Sequence, residues 1–378
     1  MNRPYWLALL LLLAGCSSVG TPTDVAAKEQ AGEWPPSVGE VELRVAQQVD
    51  EAALLDLGLI VFDPGIPEDE SSHSERGIFP RIREVEARYL PVVLREALVA
   101  SNIWGVVRVL PDDDKTLELR VTGEIIHSDG IDLVIRIKAQ DATGRVWLDR
   151  TYHDTTTQAD YPALSVTDPY QDIYHRIAND LGQLKSQLTG REVANIRDIA
   201  LLRYAASLSP EAFGDFLTIQ AQGEYVLRRL PAQDDPMMVR VKRIRNQEYL
   251  FIDTVNEQYG TLYEDMEPTY YLWRQYGREQ VIFKEDYQQR AASRSSYGRR
   301  GSFVSMQQIY NAFRKSKELD QGLAETAAEF NSEVAPTVLE VDGTVFRLSG
   351  GLDAQYAQWR EILRSIFTLE TGLPASAQ

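Results

Sequence analysis

A second cysteine is missing from this chain. Cys16 is the only thiol among 378 residues. An intramolecular disulfide is therefore impossible, and a multi-thiolate metal centre cannot be built. Histidine is nearly as scarce, with four: His73, His127, His153 and His175. No two have the spacing of metal ligands on a helix. His127 and His153 fall near strand ends, where isolated histidines are usually ordinary surface residues, so neither a metal nor a cofactor is expected. Positive charge is also short. Against 56 acidic residues stand 39 lysines and arginines, a net charge of −17. Such a surface disfavours nucleic acid and repels anionic membranes. No apolar run after the first fifteen residues is long enough to span a bilayer. Phosphate-binding glycine loops, dinucleotide fingerprints, His-Glu-x-x-His and Gly-x-Ser-x-Gly are all lacking. An enzyme is not expected.

What is present begins at the N-terminus. Arg3 supplies a positive start, Trp6–Leu13 is a short apolar run, and Ala14 and Gly15 precede Cys16. The run is too short for a membrane helix and has the layout of an export signal. Leu13-Ala14-Gly15-Cys16 resembles the lipobox of bacterial lipoproteins. The resemblance implies cleavage before Cys16, diacylglycerol on its sulfur and an acyl chain on its new amino group. Loss of Arg3 would take the net charge from −17 to −18. Ser17, where inner-membrane lipoproteins tend to carry aspartate, implies export to the outer membrane, facing the periplasm. Residues 16–40, small, polar and punctuated by Pro and Gly, read as a flexible tether.

Residues 41–187 read as an α/β domain. "LGLIVFDPGI" (57–66) is an apolar strand closed by Pro-Gly. Residues 79–102 have helical period, with Pro91 kinking the helix or opening its second half. "IWGVVRVL" (103–110) is the next strand. Three alternating strands then form a meander: 117–125, 131–139 and 145–152, turned at Asp129-Gly130 and at 141–144. A helix follows over 168–184, with Asp168 as N-cap, Pro169 at its first position and Tyr170, Ile173, Tyr174, Ile177 and Leu181 on one face. This order, and above all "GEIIHSDGIDLVIRIKAQDATGRVWLDRTYHD" (123–154), is similar to small α/β envelope domains. These are the N-terminal domain of the Tol-Pal protein TolB, the curli-secretion lipoproteins and the lipoprotein activators of penicillin-binding proteins. The likeness is one of architecture and implies binding or assembly.

Residues 188–378 shift to helical period. Helices are expected over 192–208, 209–230, 237–263, 267–293 (opened by Pro268), 303–334 and 353–370, with a hairpin near 338–348 turned by Asp342-Gly343. The fold class is α+β: signal and tether, α/β domain, then a mainly helical domain with a small hairpin. Two features stand out. Arg290, Arg294, Arg299, Arg300, Arg314, Lys315 and Lys317 form a run without an acid. It suits an anionic partner, although balancing the chain's own acidity explains it as readily. Tyr263, Tyr270, Tyr271, Trp273 and Tyr276 form an aromatic stripe, read first as helix packing and second as an interface. The acidic runs at 67–70, 111–114 and 263–267 read as solvated loops.

These features favour a non-enzymatic, lipid-anchored binding or scaffold protein of the cell envelope, partnered by an envelope protein or an anionic polymer. An auxiliary lipoprotein of lipid or polysaccharide export is the alternative, and a peptidoglycan hydrolase a minor one.

Overall fold

The computed structural model describes residues 34–76, 78–161, 168–293, 314, 321, 337–341 and 344–373. Cys16, all of the expected export signal and residues 16–33 of the expected tether lie outside these residues. The residues from Pro35 to Gln378 make one compact unit.

Its centre is a mixed five-stranded sheet in the order β2-β1-β3-β4-β5. The strands are β1 (Leu57–Ile60), β2 (Val107–Leu110), β3 (Leu119–Ser128), β4 (Asp132–Asp141) and β5 (Val146–Thr155). β1 runs parallel to both β2 and β3, and β3, β4 and β5 form the antiparallel meander. Parallel pairing of β1 and β2 requires a crossover, which α2 (Pro80–Ala100) provides. Pro91 lies inside this helix without ending it. The expected faces hold: Leu119, Val121, Ile125, Leu133, Ile135 and Ile137 are all fully buried. Val146, expected on the same face, is 47% exposed at the start of the edge strand. A bulge at Ile126 breaks the β3–β4 register, so that His127 rather than Ile126 faces Val134.

α3 (Gln171–Lys185) packs on α2 and β5 and buries the five residues read as its face. It begins later than expected. Its N-cap is Tyr170, whose amide donates to Asp168 Oδ1 at 2.8 Å, so Asp168 and Pro169 precede the helix. α4 (Gly190–Leu208) opens on a capping box between Thr189 and Glu192.

The expected helix over 209–230 does not form. Short α5 (Pro210–Phe213) and a 3₁₀ turn (Gly214–Phe216) lead into a hairpin of β6 (Leu217–Ile219) and β7 (Tyr225–Leu227). The hairpin is held from outside: Tyr225 N donates to Thr143 O at 2.7 Å. Gly223, at φ +81, supplies the left-handed turn residue. The two helices expected on either side of Pro268 are one, α6 (Pro236–Ser293). Pro268 is exposed while Tyr270, Tyr271, Trp273 and Arg274 beyond it are buried. Burying those side chains, at roughly 1.5–3 kcal/mol for a large apolar group, outweighs the one backbone hydrogen bond a proline forfeits. β8 (Val338–Val341) and β9 (Thr344–Arg347) form the second hairpin, and α7 (Leu352–Thr371) packs on α6 and ends at Gly372 in the left-handed region. The helix expected over 303–334 lies outside the described residues except at 314 and 321.

The change of period near residue 188 does not separate two cores. One continuous apolar cluster runs from Leu55 and Phe62 through Tyr89 and Ile177 to Tyr263, Trp359 and Phe367. α6 carries it across the boundary: Arg108 on β2 is bonded to Asp253 at 2.8 and 3.1 Å, and Val109 N donates to Asn256 Oδ1 at 2.9 Å.

Residues 35–40, expected to be part of a flexible tether, are instead fastened to the fold. Val38 N donates to His153 O on β5 at 2.9 Å, and Ser37 Oγ donates to Asp154 at 3.1 Å. α3 then holds the passing backbone with three side chains one or two turns apart. Asp172 accepts from Val41 N, and the His175 ring bonds Val41 O. Asn179 accepts from Arg44 N and donates to Glu42 O; all four distances are 2.8–2.9 Å.

Candidate functional site

Where α2, α3 and α6 meet, a cavity of about 280 Å³ opens to the surface. Tyrosines wall it: Tyr89 from α2, Tyr174 from α3, and Tyr263 and Tyr271 from α6. All four are buried, none more than 8% exposed. Carboxylates set its charge: Glu96 and Glu264 are exposed at the mouth, Glu267 is half-buried, and Asp168 stands where the chain enters α3. No lysine or arginine lines it among the described residues. His175 and Leu43 close one side, so the strap of residues 41–44 forms part of the rim.

The helical period explains the wall. Tyr263, Glu267, Tyr271 and Arg274 recur at steps of three and four and share one face of α6. Tyr271 donates to Glu267 at 2.6 Å, one turn back. Tyr89 sits edge-on to Tyr263, with ring centroids 5.6 Å apart, and is 4.8 Å from Tyr270. Burial raises the Tyr89 and Tyr271 phenols well above their ordinary value, with Asp168 adding to it, so both stay neutral and can donate. Glu96 is raised too, by burial first and by Glu267 second.

Behind the wall lies a buried ionic layer. Arg274 is fully buried, with Asp168 3.1 Å away and its guanidinium between the rings of Tyr170 and Tyr270 at 4.7 and 4.3 Å. Burial alone would lower its pKa; Asp168 and the surrounding phenols outweigh this and hold it above the ordinary value. Tyr270 donates to Glu86 at 2.8 Å, and Ser128 Oγ donates to the same oxygen at 2.5 Å. Four polar atoms of this layer, Glu86 Oε2, Tyr170 Oη, and Arg274 Nε and Nη2, make no hydrogen bond of regular geometry. Tyr174, which also lines the cavity, has its hydroxyl beside Arg274, whose charge opposes the rise that burial gives the phenol.

Of the residues singled out from sequence, Cys16, Arg294, Arg299, Arg300, Lys315 and Lys317 lie outside the described residues. Arg290 falls in the last turn of α6, and Arg314 is exposed. The aromatic stripe does pack, but against α2 as well as within α6, and two of its members, Tyr263 and Tyr271, also wall the cavity. The acidic run at 263–267 is helical rather than a loop, and it contributes Glu264 and Glu267 to the rim. The other two acidic runs are structural: Asp69 accepts from Ser71 N at the start of α1 (Ser71–Arg76), and Asp114 accepts from Thr116. His127 and His153 both face Val134 from either side, two strand spacings or roughly 10 Å apart. Each instead meets its own carboxylate, Asp129 at 3.0 Å and Asp132 at 2.8 Å. No group of residues able to hold a metal occurs among the described residues.

Sequence reasoning missed Asp168, read as a helix cap, and Glu96 and Tyr89, which were only positions in a helical pattern. The available signal was Glu264 and Glu267 sharing a helix face with the tyrosines. Compared with family models, curated proteins and solved structures, the chain has no match.

Proposed function

We propose that this chain is a lipid-anchored, non-enzymatic binding protein of the bacterial outer membrane, facing the periplasm, with the tyrosine-walled cavity as a ligand site. The observation that carries the reading is Leu13-Ala14-Gly15-Cys16 set ahead of a compact unit that starts at Pro35. At roughly 3.4 Å per extended residue, residues 17–34 would let the folded unit stand up to about 60 Å from the lipid. Several buried acyl chains make a stable anchor. No helix among the described residues is long and apolar enough to cross a membrane. The test is labelled palmitate fed to cells producing the full chain. Incorporation is expected in the unaltered chain and lost in Cys16→Ala, which should fractionate with soluble periplasmic protein. Label retained by Cys16→Ala would overturn the anchor.

Peptidoglycan hydrolysis is the minor reading, supported by the carboxylates that the cavity gathers in a concave site. Incubation with purified peptidoglycan separates the two: a binding protein co-sediments or stays apart without releasing soluble fragments. The export-accessory reading rests on the arginine run and is tested by Arg294→Ala, Arg299→Ala and Arg300→Ala together.

A further inference from the structure

The turn between β4 and β5 rests against the β6–β7 hairpin. Tyr225 N donates to Thr143 O, and a Cβ at Gly144 would lie 3.0 Å from Gly223 O. Beside this contact opens a second pocket, of about 240 Å³. Lys115, Arg120 of β3 and Arg203 of α4 line it, with one carboxylate, Asp141. In a chain of net charge −17, that is a local reversal of sign.

Asp141 is fully engaged. Its side chain is buried and accepts from Thr143 N, Thr143 Oγ1 and Trp147 Nε1 at 2.5–2.9 Å, and Arg145 Nε, 3.2 Å away, matches its charge. Arg120 is matched as well, by Asp113 at 2.7 Å, and its Nη2 donates to Gln140 at 2.8 Å. Lys115 and Arg203 are not matched: among the described residues, no carboxylate stands within ion-pair distance of either. Arg203 is nonetheless held in place. Its guanidinium lies 4.2 Å over the Tyr225 ring, and Nη1 donates to Ala142 O at 2.7 Å. The remaining edge, Nε and Nη2, makes no hydrogen bond in the fold, and neither atom is sealed from solvent. At Arg108 and at Arg136 this same edge grips a carboxylate with both nitrogens, at 2.8 and 3.1 Å in each case. Burial lowers the Arg203 pKa from its ordinary value; Tyr225 and Asp114 oppose this, and Arg120 adds to the fall. A half-buried cation beside a like charge is stabilised by an anion brought to it.

We infer that this pocket binds a dianionic phosphate, either free or carried on a small phosphomonoester. The open Nε–Nη2 edge offers parallel donors to two oxygens, and the Lys115 ammonium can donate to a third. Two unmatched cations require two negative charges; a monocarboxylate supplies one. The space exceeds a bare phosphate, so a short group can ride on it. The pocket shares no residue with the tyrosine-walled cavity and does not depend on the lipid anchor.

Calorimetric titration of the full chain in detergent tests it with inorganic phosphate, glycerol 3-phosphate, succinate as a dianion built of planar groups, and glycerol as the uncharged carrier. One saturable site is expected for phosphate or glycerol 3-phosphate, weakening as salt rises. Succinate should bind at least tenfold more weakly, and glycerol not at all. Tighter binding of glycerol 3-phosphate identifies a phosphomonoester; binding of phosphate at least as tight identifies the free ion. Lys115→Gln, at an exposed position, should weaken binding at least tenfold with circular dichroism unchanged. Arg203→Lys, which keeps the charge and removes the fork, should do the same, and Lys115→Gln decides alone if that variant does not fold. No saturable binding of either phosphate, equal binding of succinate or glycerol, or several equivalent sites would each overturn the inference. So would a site that Lys115→Gln leaves unchanged, since it would lie elsewhere, the arginine run included.

Discussion

Asp154 shows how a single carboxyl links the fold to pH. It sits at the end of β5, 5% exposed, accepting from Ser37 Oγ and from Thr155 N. Burial raises it to about 6, with those two hydrogen bonds opposing. A carboxyl whose folded pKa lies above its unfolded value binds its proton more tightly when folded. Its penalty is absent below about pH 4 and grows as pH rises through 6. A rise from 3.8 to about 6 corresponds to up to about 3 kcal/mol. Asp154→Asn is therefore expected to stabilise the chain at pH 8 by about 1–3 kcal/mol and to make no difference at pH 4, measured by urea unfolding at both. An equal shift at both pH values would assign the effect to packing instead. At this same scale the sequence was least legible. Asp168 satisfies every local requirement of a helix cap, and only Arg274, more than a hundred residues away, turns it into half of a buried ion pair.

The elements were legible where local pattern and tertiary need agree. The meander of β3, β4 and β5 has period-two apolar residues and turn glycines, and it formed with the expected faces except at Val146. Residues 217–227 failed because their partner is remote: the turn at 143–144 receives Tyr225, and nothing local reports that. Pro268 misled for the opposite reason, since a strong local signal was overridden by packing beyond it. Glycines on α6 make this contrast measurable. A Cβ at Gly277 would lie 2.7 Å from Asp129 O, at the β3–β4 turn, whereas one at Gly260 would meet nothing within 4 Å. Gly260→Ala is expected to stabilise by about 0.5–1 kcal/mol through helix propensity alone. Gly277→Ala, in the same helix with the same propensity gain, should destabilise by about 1–3 kcal/mol. Matching signs in thermal unfolding would mean that the turn does not press on the helix.

For the whole molecule, the observation that matters is one core with α6 as its common member. The sequence suggested two domains because amphipathic period changes near residue 188, and periodicity reports each element's buried face without saying which element covers it. The structure gives α6 contacts with β2, α4 and α7, and its rings meet those of α2. Unfolding followed by tryptophan fluorescence and by far-ultraviolet circular dichroism is expected to give coincident transitions. Two separated transitions would restore independent domains. A Trp359→Phe variant, which alters a fully buried ring on α7, should lower the single midpoint seen by both probes.

The fastening of residues 35–46 has a mechanical consequence. Any pull on the chain at residue 34 reaches the fold through the bonds at Pro35, Ser37 and Val38 before it reaches the sheet interior. The next bonds under load are those to Asp172, His175 and Asn179, and then Ala46 N to Ser101 O at the end of α2. These bonds follow one another along the chain, so a pull at residue 34 would load them in sequence order. Since Leu43 and His175 also border the cavity, the segment that would take such a load is the one that forms part of the cavity's rim.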